Sequence, residues 1–391
     1  MDRVSTRPLT SVPAADLATL LPALSAALDG TGPAVLPLPR SPEAVLAAVR
    51  DALRPDDPSS PLEHDDVAIV MPTSGSTGRP KGVLLTAAAL EASGRATYAR
   101  LAGPGAWLLA LDPGHVAGLQ VVLRSLLADT PLTVLDLTDG FRAEAFAAAA
   151  ERLPSGLPTY TSLVPTQLTR VLDAGGAALD ALCGFDTVLV GGASIPEPLL
   201  RRGREAGARL VTTYGMSETC GGCVYDGWPL DGVRLDLVDG RIVLGGPVVA
   251  AGYRLDPELT ATHFRADTYL TQDAGRLEAD GRLTVLGRID DIVVSGGENV
   301  PLAAVEEAAL HVPGVREAAA FGRPDPEWGT RVELAVVPRD AAVVPGLADV
   351  RAVVAARAGR AAAPRRLHVL AALPLLASGK VDRERLRGSC A

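Results

Sequence analysis

The segment MPTSGSTGRPKG, residues 71–82, combines glycines, hydroxyl side chains and a lysine directly after the apolar run at 67–70. Glycine lets backbone N–H groups approach an anion closely, and hydroxyls and an ammonium complete a cradle for phosphate oxygens. A flexible Gly/Ser linker is the alternative. Because the segment lies between a strand-like stretch and a helix-like one at 86–100, its placement favours phosphate binding. It is not the common nucleotide loop G-x-x-x-x-G-K-[ST], since Pro80 stands where that pattern requires glycine.

The composition bounds the class of protein. The chain has 391 residues, of which 48% are hydrophobic and 21% charged, with a formal net charge of -9. These values predict a globular protein of two or three domains without a nucleic-acid partner or an anionic membrane surface. No apolar run reaches the length of a membrane-spanning helix, and residues 1–10 lack the apolar core of a signal peptide. We therefore expect a cytosolic protein.

The cysteines, at positions 183, 220, 223 and 390, are too few and too irregularly spaced for a disulfide framework. Cys220 and Cys223 form a C-x-x-C pair. A structural zinc site needs two more ligands at comparable spacing, and a redox site needs its pair at the start of a helix in a thioredoxin-like context. Neither pattern is present, so we expect the pair to be incidental small residues.

Short apolar runs alternate with helical patterns between residues 65 and 215, with helices expected at 87–100, 117–128, 142–152 and 196–206. This alternation predicts largely parallel sheets covered by helices. Ligands bind such sheets at the carboxyl ends of the strands. The segments TSGSTG, GHVAG, GGAS and YGMSET all fall at such ends.

The pattern changes after residue 225. The segments VRLDLVDGRIVLGG and GRLEADGRLTVLGR each hold an Asp-Gly pair between strand-forming runs, which predicts antiparallel hairpins. From about Asp291, helices expected at 301–311 and 347–358 and strands at 318–321 and 332–337 indicate a small α+β domain. The first sixty residues, rich in Ala, Pro and Gly, allow no assignment.

Four separated motifs, TSGSTGRPKG, TYGMSET, YLTQDAG…GRIDD and SGKVDR, occur in this order. Together they resemble those of the adenylate-forming superfamily, which contains acyl- and aryl-CoA synthetases, luciferases and peptide-synthetase adenylation domains. The resemblance runs from about residue 65 to the C-terminus. It implies an α/β fold with a large N-terminal domain at 1–289, made of helix-covered, largely parallel sheets and an antiparallel barrel-like part. A small, mobile α+β C-terminal domain is expected at 290–391.

The resemblance also implies a chemistry. A carboxylate is a poor electrophile, so joining it to a thiol requires an activated form such as an acyl-AMP, whose formation from ATP releases pyrophosphate. In the family, the glycine-rich segment holds the departing β- and γ-phosphates and favours the charge that develops in the transition state. The matching residues here are Thr73, Ser74, Gly75, Ser76, Thr77, Gly78 and Lys81.

The motif YGMSET matches the family's metal and adenine site. Glu218 corresponds to the carboxylate for Mg²⁺, a hard cation that prefers oxygen and water. Tyr214, followed by Gly215, corresponds to the aromatic that stacks on adenine, and Thr219 is expected close to the transferred phosphate. In isolation, Glu218 would instead be a helix-start residue with Ser217 as its cap.

Two further motifs match the ribose site and the hinge. Asp273 corresponds to the carboxylate that accepts from both ribose hydroxyls, although Gln272 replaces the family's usual glycine before it. Arg288 matches the arginine that contacts ribose or phosphate, and Asp290 matches the hinge about which the C-terminal domain swings. In isolation, a charge run such as RIDD is usually solvated.

Lys380 in the tail segment SGKVDR corresponds to the catalytic lysine of adenylation. Its ammonium would bridge the attacking carboxylate and the α-phosphate, two anions that otherwise repel. A lysine in a glycine-containing tail is ordinarily a solvated charge. Gly297, in SGGENV, would line the tunnel for the pantetheine of CoA.

The acid is suggested by a G-H-x-x-G segment with an arginine nine residues after its histidine, followed by SLVPTQL. This pattern resembles the 2-succinylbenzoate:CoA ligases of menaquinone biosynthesis, whose substrate is a dianion. Arg124 would then pair with the substrate's carboxylates, a role that suits a planar, always-charged group. Alternatively, Gln120 and Arg124 form a solvated stripe on a helix. His115 is expected either at the pocket, as a wall or gate, or as a core histidine; further pocket candidates are Ser162, Thr166, Gly191 and Gly192.

Other functions stay open at this point. They are an aryl- or acyl-CoA ligase for another acid, a standalone adenylation module that loads a carrier protein, and a non-catalytic nucleotide sensor. Lys380, Glu218 and the complete glycine-rich segment argue against the sensor. The chain has 72 residues ahead of Thr73, fewer than the family commonly has, so we expect an abbreviated N-terminal part. A homodimer is a further expectation.

Overall fold

The computed structural model describes residues 7–74, 80–340, 343–374 and 381–390. The chain forms two compact units. The larger unit consists of Met1–Gly192, Arg202–Asp236 and Val243–Thr271, and the smaller unit consists of Ala193–Arg201, Leu237–Ile242 and Gln272–Ala391. The domain boundary expected at Asp290 stays a prediction.

The elements of the first half of the chain alternate between strands and helices. In chain order they are β1 (Leu9–Pro13), α1 (Leu17–Leu28), β2 (Ala34–Leu38), α2 (Glu43–Leu53), β3 (Val67–Ser74), β4 (Pro80–Thr86), α3 (Ala87–Arg100), β5 (Ala106–Leu109), α4 (Val116–Leu127), β6 (Leu132–Val134), α5 (Ala143–Ala150), β7 (Thr159–Leu163), α6 (Pro165–Ala174), α7 (Gly176–Gly184), β8 (Thr187–Val190), α8 (Glu197–Glu205) and β9 (Leu210–Met216).

The second half is richer in strands. Its elements are β10 (Gly221–Tyr225), β11 (Trp228–Pro229), β12 (Arg234–Val238), β13 (Arg241–Gly245), β14 (Gly252–Tyr253), α9 (Pro257–His263), β15 (Phe264–Arg265), β16 (Thr268–Leu277), β17 (Leu283–Arg288), β18 (Ile292–Ser295), β19 (Glu298–Pro301), α10 (Leu302–Ala309), β20 (Val315–Asp325), β21 (Gly329–Pro338), α11 (Leu347–Ala358), β22 (Arg366–Val369) and α12 (Arg383–Ser389). Single turns of 3-10 helix cover Ser217–Thr219 and Ile289–Asp291.

The first sheet has the strand order β1-β2-β3-β4-β14. β1, β2 and β3 are parallel, and β4 is antiparallel to both β3 and β14. The apolar side chains of these strands pack against α2 in a core that includes Leu36, Leu53 and Leu84. The sequence analysis placed the glycine-rich segment between a strand and a helix, and a second strand, β4, lies between the segment and that helix, because its run of Val and Leu pairs along β3.

The second sheet has the order β11-β10-β9-β8-β7-β5-β6. The five strands β6, β5, β7, β8 and β9 are parallel, as predicted. β10 and β11 are antiparallel and extend the sheet beyond β9. The helix expected at 87–100 is α3, whose N-terminus is capped by Thr86 Oγ1, which accepts from the Ala89 N–H at 3.1 Å. Trp107 and Tyr160 are fully buried on neighbouring strands, with ring centroids 5.1 Å apart.

The two remaining sheets confirm the change of pattern after residue 225. One has the order β12-β13-β16-β15, with β17 also paired to β16. Asp239 and Gly240 both have positive φ between β12 and β13, the conformation for which an Asp-Gly pair is suited. The other sheet has the order β19-β18-β21-β20, with β22 parallel to β21. It carries α10 and α11 on a core of valine, leucine and alanine side chains, so the expected small α+β arrangement is present.

Candidate active site

The glycine-rich segment joins β3 to β4. Thr73 pairs with Lys81 in the strand register, and its hydroxyl contacts the Lys81 carbonyl at 3.5 Å. The two residues that flank the segment are therefore held side by side by a β-ladder. The side chain of Ser74 and all of Gly75, Ser76, Thr77 and Gly78 lie outside the described residues.

Tyr253 lies between two of the predicted site residues. The Lys81 ammonium is 5.8 Å from the centroid of the Tyr253 ring, within the range of a cation–π contact. The Tyr253 hydroxyl donates to Glu218 Oε1 at 2.8 Å. Lys81 and Glu218, which are far apart in the chain, thus contact opposite parts of one tyrosine side chain.

The backbone around Tyr253 explains this convergence. Tyr253 pairs with Val83 in the β14–β4 ladder, two residues from Lys81. The Ala250 N–H donates to the Glu218 carbonyl at 2.9 Å, so the segment that leads into β14 also holds the turn that carries Glu218. Burial raises the pKa of the Tyr253 hydroxyl far above its ordinary value, and the negative charge of Glu218 adds to this effect. The hydroxyl therefore stays protonated and remains a donor to the carboxylate.

The sequence analysis did not predict Tyr253 as a site residue because it belongs to none of the four motifs. The sequence analysis did not identify its neighbour Arg254 either. The Arg254 guanidinium is buried, donates to the carbonyl of Pro61 at 2.5 Å and pairs with Glu63 at 3.2 Å. This contact anchors the segment after β14 to the loop that follows α2. A buried arginine surrounded by carbonyl groups leaves no local pattern in the sequence.

The turn that carries Glu218 is made by its neighbours. Thr219 is fully buried, and its hydroxyl accepts from the Met216 N–H at 3.1 Å and donates to the Gly221 carbonyl at 2.9 Å. This geometry gives Thr219 a role in shaping the turn, and its expected contact with phosphate stays a prediction. Gly215 pairs with Gly222, and a Cβ at this position would lie 2.1 Å from the Gly221 carbonyl oxygen, so no larger residue fits. Tyr214 is half-buried one residue earlier on β9.

Gln120 and Arg124 are both buried on α4, so the interpretation of these residues as a solvated stripe is wrong. Their exposed fractions are only 1% and 3%, because α4 is covered on that face as well as on its apolar face. The Arg124 guanidinium lies 5.2 Å from the centroid of the Trp107 indole, and its Nη2 donates to the Tyr225 hydroxyl at 3.3 Å. Arg124 is therefore a buried cation in an aromatic and polar environment.

Three buried polar atoms on α4 have no hydrogen-bond partner among the described residues. They are Nε of Arg124 and both amide atoms, Nε2 and Oε1, of Gln120. Leaving such an atom buried and unpaired costs about 1–3 kcal/mol. Both side chains face β10, where Tyr225 contacts Arg124, and a Cβ at Gly221 would lie 3.1 Å from Gln120 Cγ. This set of atoms suits a ligand with more than one polar group.

The remaining pocket candidates occupy different environments. His115 is exposed at the N-terminus of α4, so the alternative of a core histidine is wrong. Ser162 is buried near the carboxyl end of β7, and Gly191 follows the adjacent β8, with its N–H bonded to the Leu163 carbonyl at 3.2 Å. Gly192 and Thr166 are exposed. The structure therefore brings Ser162 and Gly191 together at the carboxyl ends of two neighbouring strands of the second sheet.

The ribose and hinge candidates belong to the smaller unit. Asp273 and Arg288 pair in the β16–β17 ladder, with Arg288 Nη1 3.7 Å from Asp273 Oδ1. Arg288 Nη2 lies 3.9 Å from Asp290 Oδ2 and also donates to the Gln272 side chain. The glutamine that replaces the family's glycine thus contacts the predicted nucleotide-binding arginine.

The other candidates of the smaller unit are Gly297 and Lys380. Gly297 lies in the turn between β18 and β19. Trp328 packs beside this turn against Gly296, and the guanidinium of Arg365 stacks 3.7 Å from the indole centroid. Lys380 lies outside the described residues. Arg383, three residues after it, pairs with Glu306 at 2.7 Å and with Asp291 at 3.3 Å.

The cysteines of the C-x-x-C pair are both buried and free. Burial raises the pKa of the Cys223 thiol to about 12 and that of the Cys220 thiol higher still, so both stay protonated and unreactive. Among the described residues, no group of three His, Cys, Asp or Glu side chains could hold a metal ion by itself. In the same part of the chain, no helix is long and apolar enough to cross a membrane.

Residues 18–254 match the family described as AMP-binding enzyme, and residues 304–380 match the AMP-binding enzyme C-terminal domain. A probable 2-succinylbenzoate–CoA ligase of Mycobacterium tuberculosis is 46% identical over 372 residues, which cover 94% of this chain and 94% of that protein.

Two solved structures of a Bacillus subtilis enzyme are also similar. O-succinylbenzoate coenzyme A synthetase in complex with the acyl-adenylate intermediate OSB-AMP aligns with a TM-score of 0.75 at 25% identity, covering 97% of this chain and 83% of the other. The same enzyme in complex with ATP and magnesium aligns with a TM-score of 0.71 at 28% identity, covering 83% and 71%.

Proposed function

Since the chain belongs to the family of AMP-binding enzymes, we propose that it is an AMP-forming ligase that joins 2-succinylbenzoate to coenzyme A in menaquinone biosynthesis. In the first step a carboxylate oxygen of the acid attacks the α-phosphorus of ATP, and pyrophosphate leaves. In the second step the CoA sulfur attacks the acyl carbon, AMP leaves, and the thiol proton passes to solvent. The acid is the substrate named for the mycobacterial relative.

The observation that carries the choice of acid is the buried charge of Arg124. An arginine cannot be deprotonated in a protein, and a buried cation needs an anion to offset its lost hydration. Its Nη2 donates to the hydroxyl of Tyr225, and its Nε has no hydrogen-bond partner among the described residues. A dianionic acid supplies the missing anion with its second carboxylate, while the first is activated.

An acid with one carboxylate fits less well. After activation its charge is consumed in the anhydride, so Arg124 would keep its charge without a counter-ion in the acyl-adenylate. This argument disfavours a ligase for benzoate or fatty acids. Loading of a carrier protein has no observation in its favour.

The residues that converge on Tyr253 fit the phosphate and metal site of the adenylation step. Lys81 and the glycine-rich segment would hold the β- and γ-phosphates. The Glu218 carboxylate is a hard oxygen ligand of the type that Mg²⁺ prefers. The Tyr253 hydroxyl sets the orientation of this carboxylate by donating to it. When bound, Mg²⁺ offsets the negative charge of the phosphates. Tyr253 keeps the Glu218 carboxylate oriented in the absence of the ion, which lowers the reorganisation that binding requires.

The remaining roles rest on the family motifs. Asp273 would accept from the ribose hydroxyls, with Arg288 beside it for ribose or phosphate, and Lys380 would bridge the attacking carboxylate and the α-phosphate. Asp290 would be the hinge between an adenylating and a thioester-forming arrangement, in which Gly297 lines the path of pantetheine. The homodimer and the cytosolic location stay predictions.

An acid panel tests the proposal. The purified protein is incubated with ATP, Mg²⁺ and one acid at a time, and pyrophosphate and CoA thioester are measured with and without CoA. We expect thioester with 2-succinylbenzoate and not with benzoate or a fatty acid. The same products from benzoate at comparable kcat/KM would contradict the choice of acid.

A variant at Arg124 tests the reason for that choice. Arg124→Met keeps an unbranched aliphatic stem and removes the charged guanidinium, and we expect kcat/KM for 2-succinylbenzoate to fall at least about 30-fold. Arg95→Met is the matched control, because Arg95 is exposed on α3 in an ion pair with Glu91. Unchanged kinetics of Arg124→Met would remove this residue from the substrate site.

A further inference from the structure

Gln120 is the one buried side chain of the described residues whose amide nitrogen and oxygen both lack a hydrogen-bond partner. It lies on α4 among apolar residues, at a position that leucine or methionine would fill without leaving an unpaired polar group. A buried amide with no partner inside the protein points to a partner that arrives from outside, either a ligand or water.

The place of Gln120 in the larger unit indicates which part of a ligand it meets. It is one helical turn before Arg124 on the same face of α4, about 6 Å closer to the N-terminus of the helix. It lies against Gly221, and Gly221 follows the turn that carries Glu218 and Thr219. Gln120 is therefore located between the cation for the second carboxylate and the motif for phosphate transfer.

The substrate of the proposed function has a polar group at this intermediate place. In 2-succinylbenzoate a ketone separates the ring, which bears one carboxylate, from the chain that bears the other. A ketone oxygen only accepts hydrogen bonds, and the amide Nε2 of glutamine only donates. The order of groups along the acid thus matches the order of side chains along α4 and β10.

We infer that Gln120 is a specificity residue whose Nε2 donates to the ketone oxygen of the acid; this inference rests on the proposed function. A site built to donate to a substrate oxygen discriminates against an analogue that lacks this oxygen, because the buried donor is then left unpaired.

The test compares two acids on two variants. The first acid is 2-succinylbenzoate, and the second is 2-(3-carboxypropyl)benzoate, which has a methylene in place of the ketone and keeps both carboxylates. The ratio of their kcat/KM values for pyrophosphate release is measured for the wild type and for Gln120→Leu. We expect the wild type to prefer the ketone by about 10-fold or more and the variant to show a ratio close to one.

Gln167 provides the matched control. It is also buried, but its amide is satisfied inside the protein, since Nε2 donates to the Ala110 carbonyl at 2.8 Å and Oε1 accepts from the Val164 N–H at 3.0 Å. Gln167→Leu should lower the melting temperature and leave the ketone preference unchanged. Gln120→Leu should leave the melting temperature of the ligand-free protein unchanged or raise it, because it removes an unpaired amide.

The possible results of this experiment distinguish a failure of the role of Gln120 from a failure of the proposed function. A ketone preference in Gln120→Leu that equals the wild-type preference, with the wild type active, overturns the role of Gln120 alone. A lower melting temperature of this variant together with an unchanged preference assigns Gln120 a packing role. A wild type that activates neither acid overturns both the inference and the proposed function.

Discussion

Removal of one hydroxyl group tests whether Tyr253 organises the metal and phosphate site. Tyr253→Phe keeps the ring, and with it the cation–π contact to Lys81 and the packing against Phe264. It removes the hydroxyl that donates to Glu218 Oε1 at 2.8 Å and that also lies 3.3 Å from the Tyr269 hydroxyl. The variant therefore tests the hydrogen bond to the carboxylate, and the contact with Tyr269 needs its own control.

The size of the effect follows from the charge of the acceptor. A hydrogen bond to a charged group contributes about 1.5–3 kcal/mol, which corresponds to a factor of about 10–150. The upper end of this energy range applies if the Glu218 carboxylate must keep one orientation to bind Mg²⁺ beside the phosphates. We therefore expect kcat/KM for ATP in the adenylation step to fall about 10- to 150-fold, with a higher Mg²⁺ concentration needed for half-maximal activity.

The assay is pyrophosphate–ATP exchange with 2-succinylbenzoate, titrated with Mg²⁺. Tyr269→Phe is the control, because its hydroxyl lies 3.3 Å from that of Tyr253 and is one step removed from the carboxylate; its effect should be smaller. The raised pKa of Tyr253 adds a prediction about pH, since this hydroxyl stays protonated throughout the range of the assay and produces no alkaline loss of activity. An unchanged Mg²⁺ dependence of Tyr253→Phe would refute the assigned role of the hydroxyl.

Three further predictions concern other residues. Lys380→Ala should suppress adenylation far more than thioester formation from supplied acyl-AMP, and equal losses in both half-reactions would contradict two arrangements of the C-terminal part. Arg254→Ala should lower the free energy of unfolding by about 1–3 kcal/mol, measured by chemical denaturation, because it leaves the Pro61 carbonyl without its buried donor and the partly exposed Glu63 without its partner. Burial by itself would raise the pKa of Glu333, but hydrogen bonds from His368 and Arg331 outweigh it and hold the pKa below the ordinary 4.5. The stability that the ionised Glu333 gives to the folded protein is therefore complete above about pH 4.5 and is lost progressively as the pH falls below it. The difference in unfolding free energy between the wild type and Glu333→Gln should therefore be larger at pH 6 than at pH 3.5, and an equal difference at both would contradict the lowered pKa.

Local patterns in the sequence predicted much of the fold. The helix expected at 87–100 is α3, the helix expected at 347–358 is α11, and the Asp-Gly pair at 239–240 forms its turn between β12 and β13. These features depend on residues close together in the chain, through periodicity, capping and turn conformation. The motifs likewise identified the family, because each motif is a short segment.

Long-range contacts decided the rest. The sequence shows Gln120 and Arg124 on one face of a helix, but whether that face meets water depends on what covers it, and here β10 lies against it. Tyr253 became part of the site only because β14 pairs with β4 and its preceding segment holds the Glu218 turn. Periodicity predicts which side chains share a face, whereas burial and hydrogen-bond partners depend on how the chain packs. The residue types therefore determined the chemistry that is available, and the tertiary structure determined which side chains meet in the site.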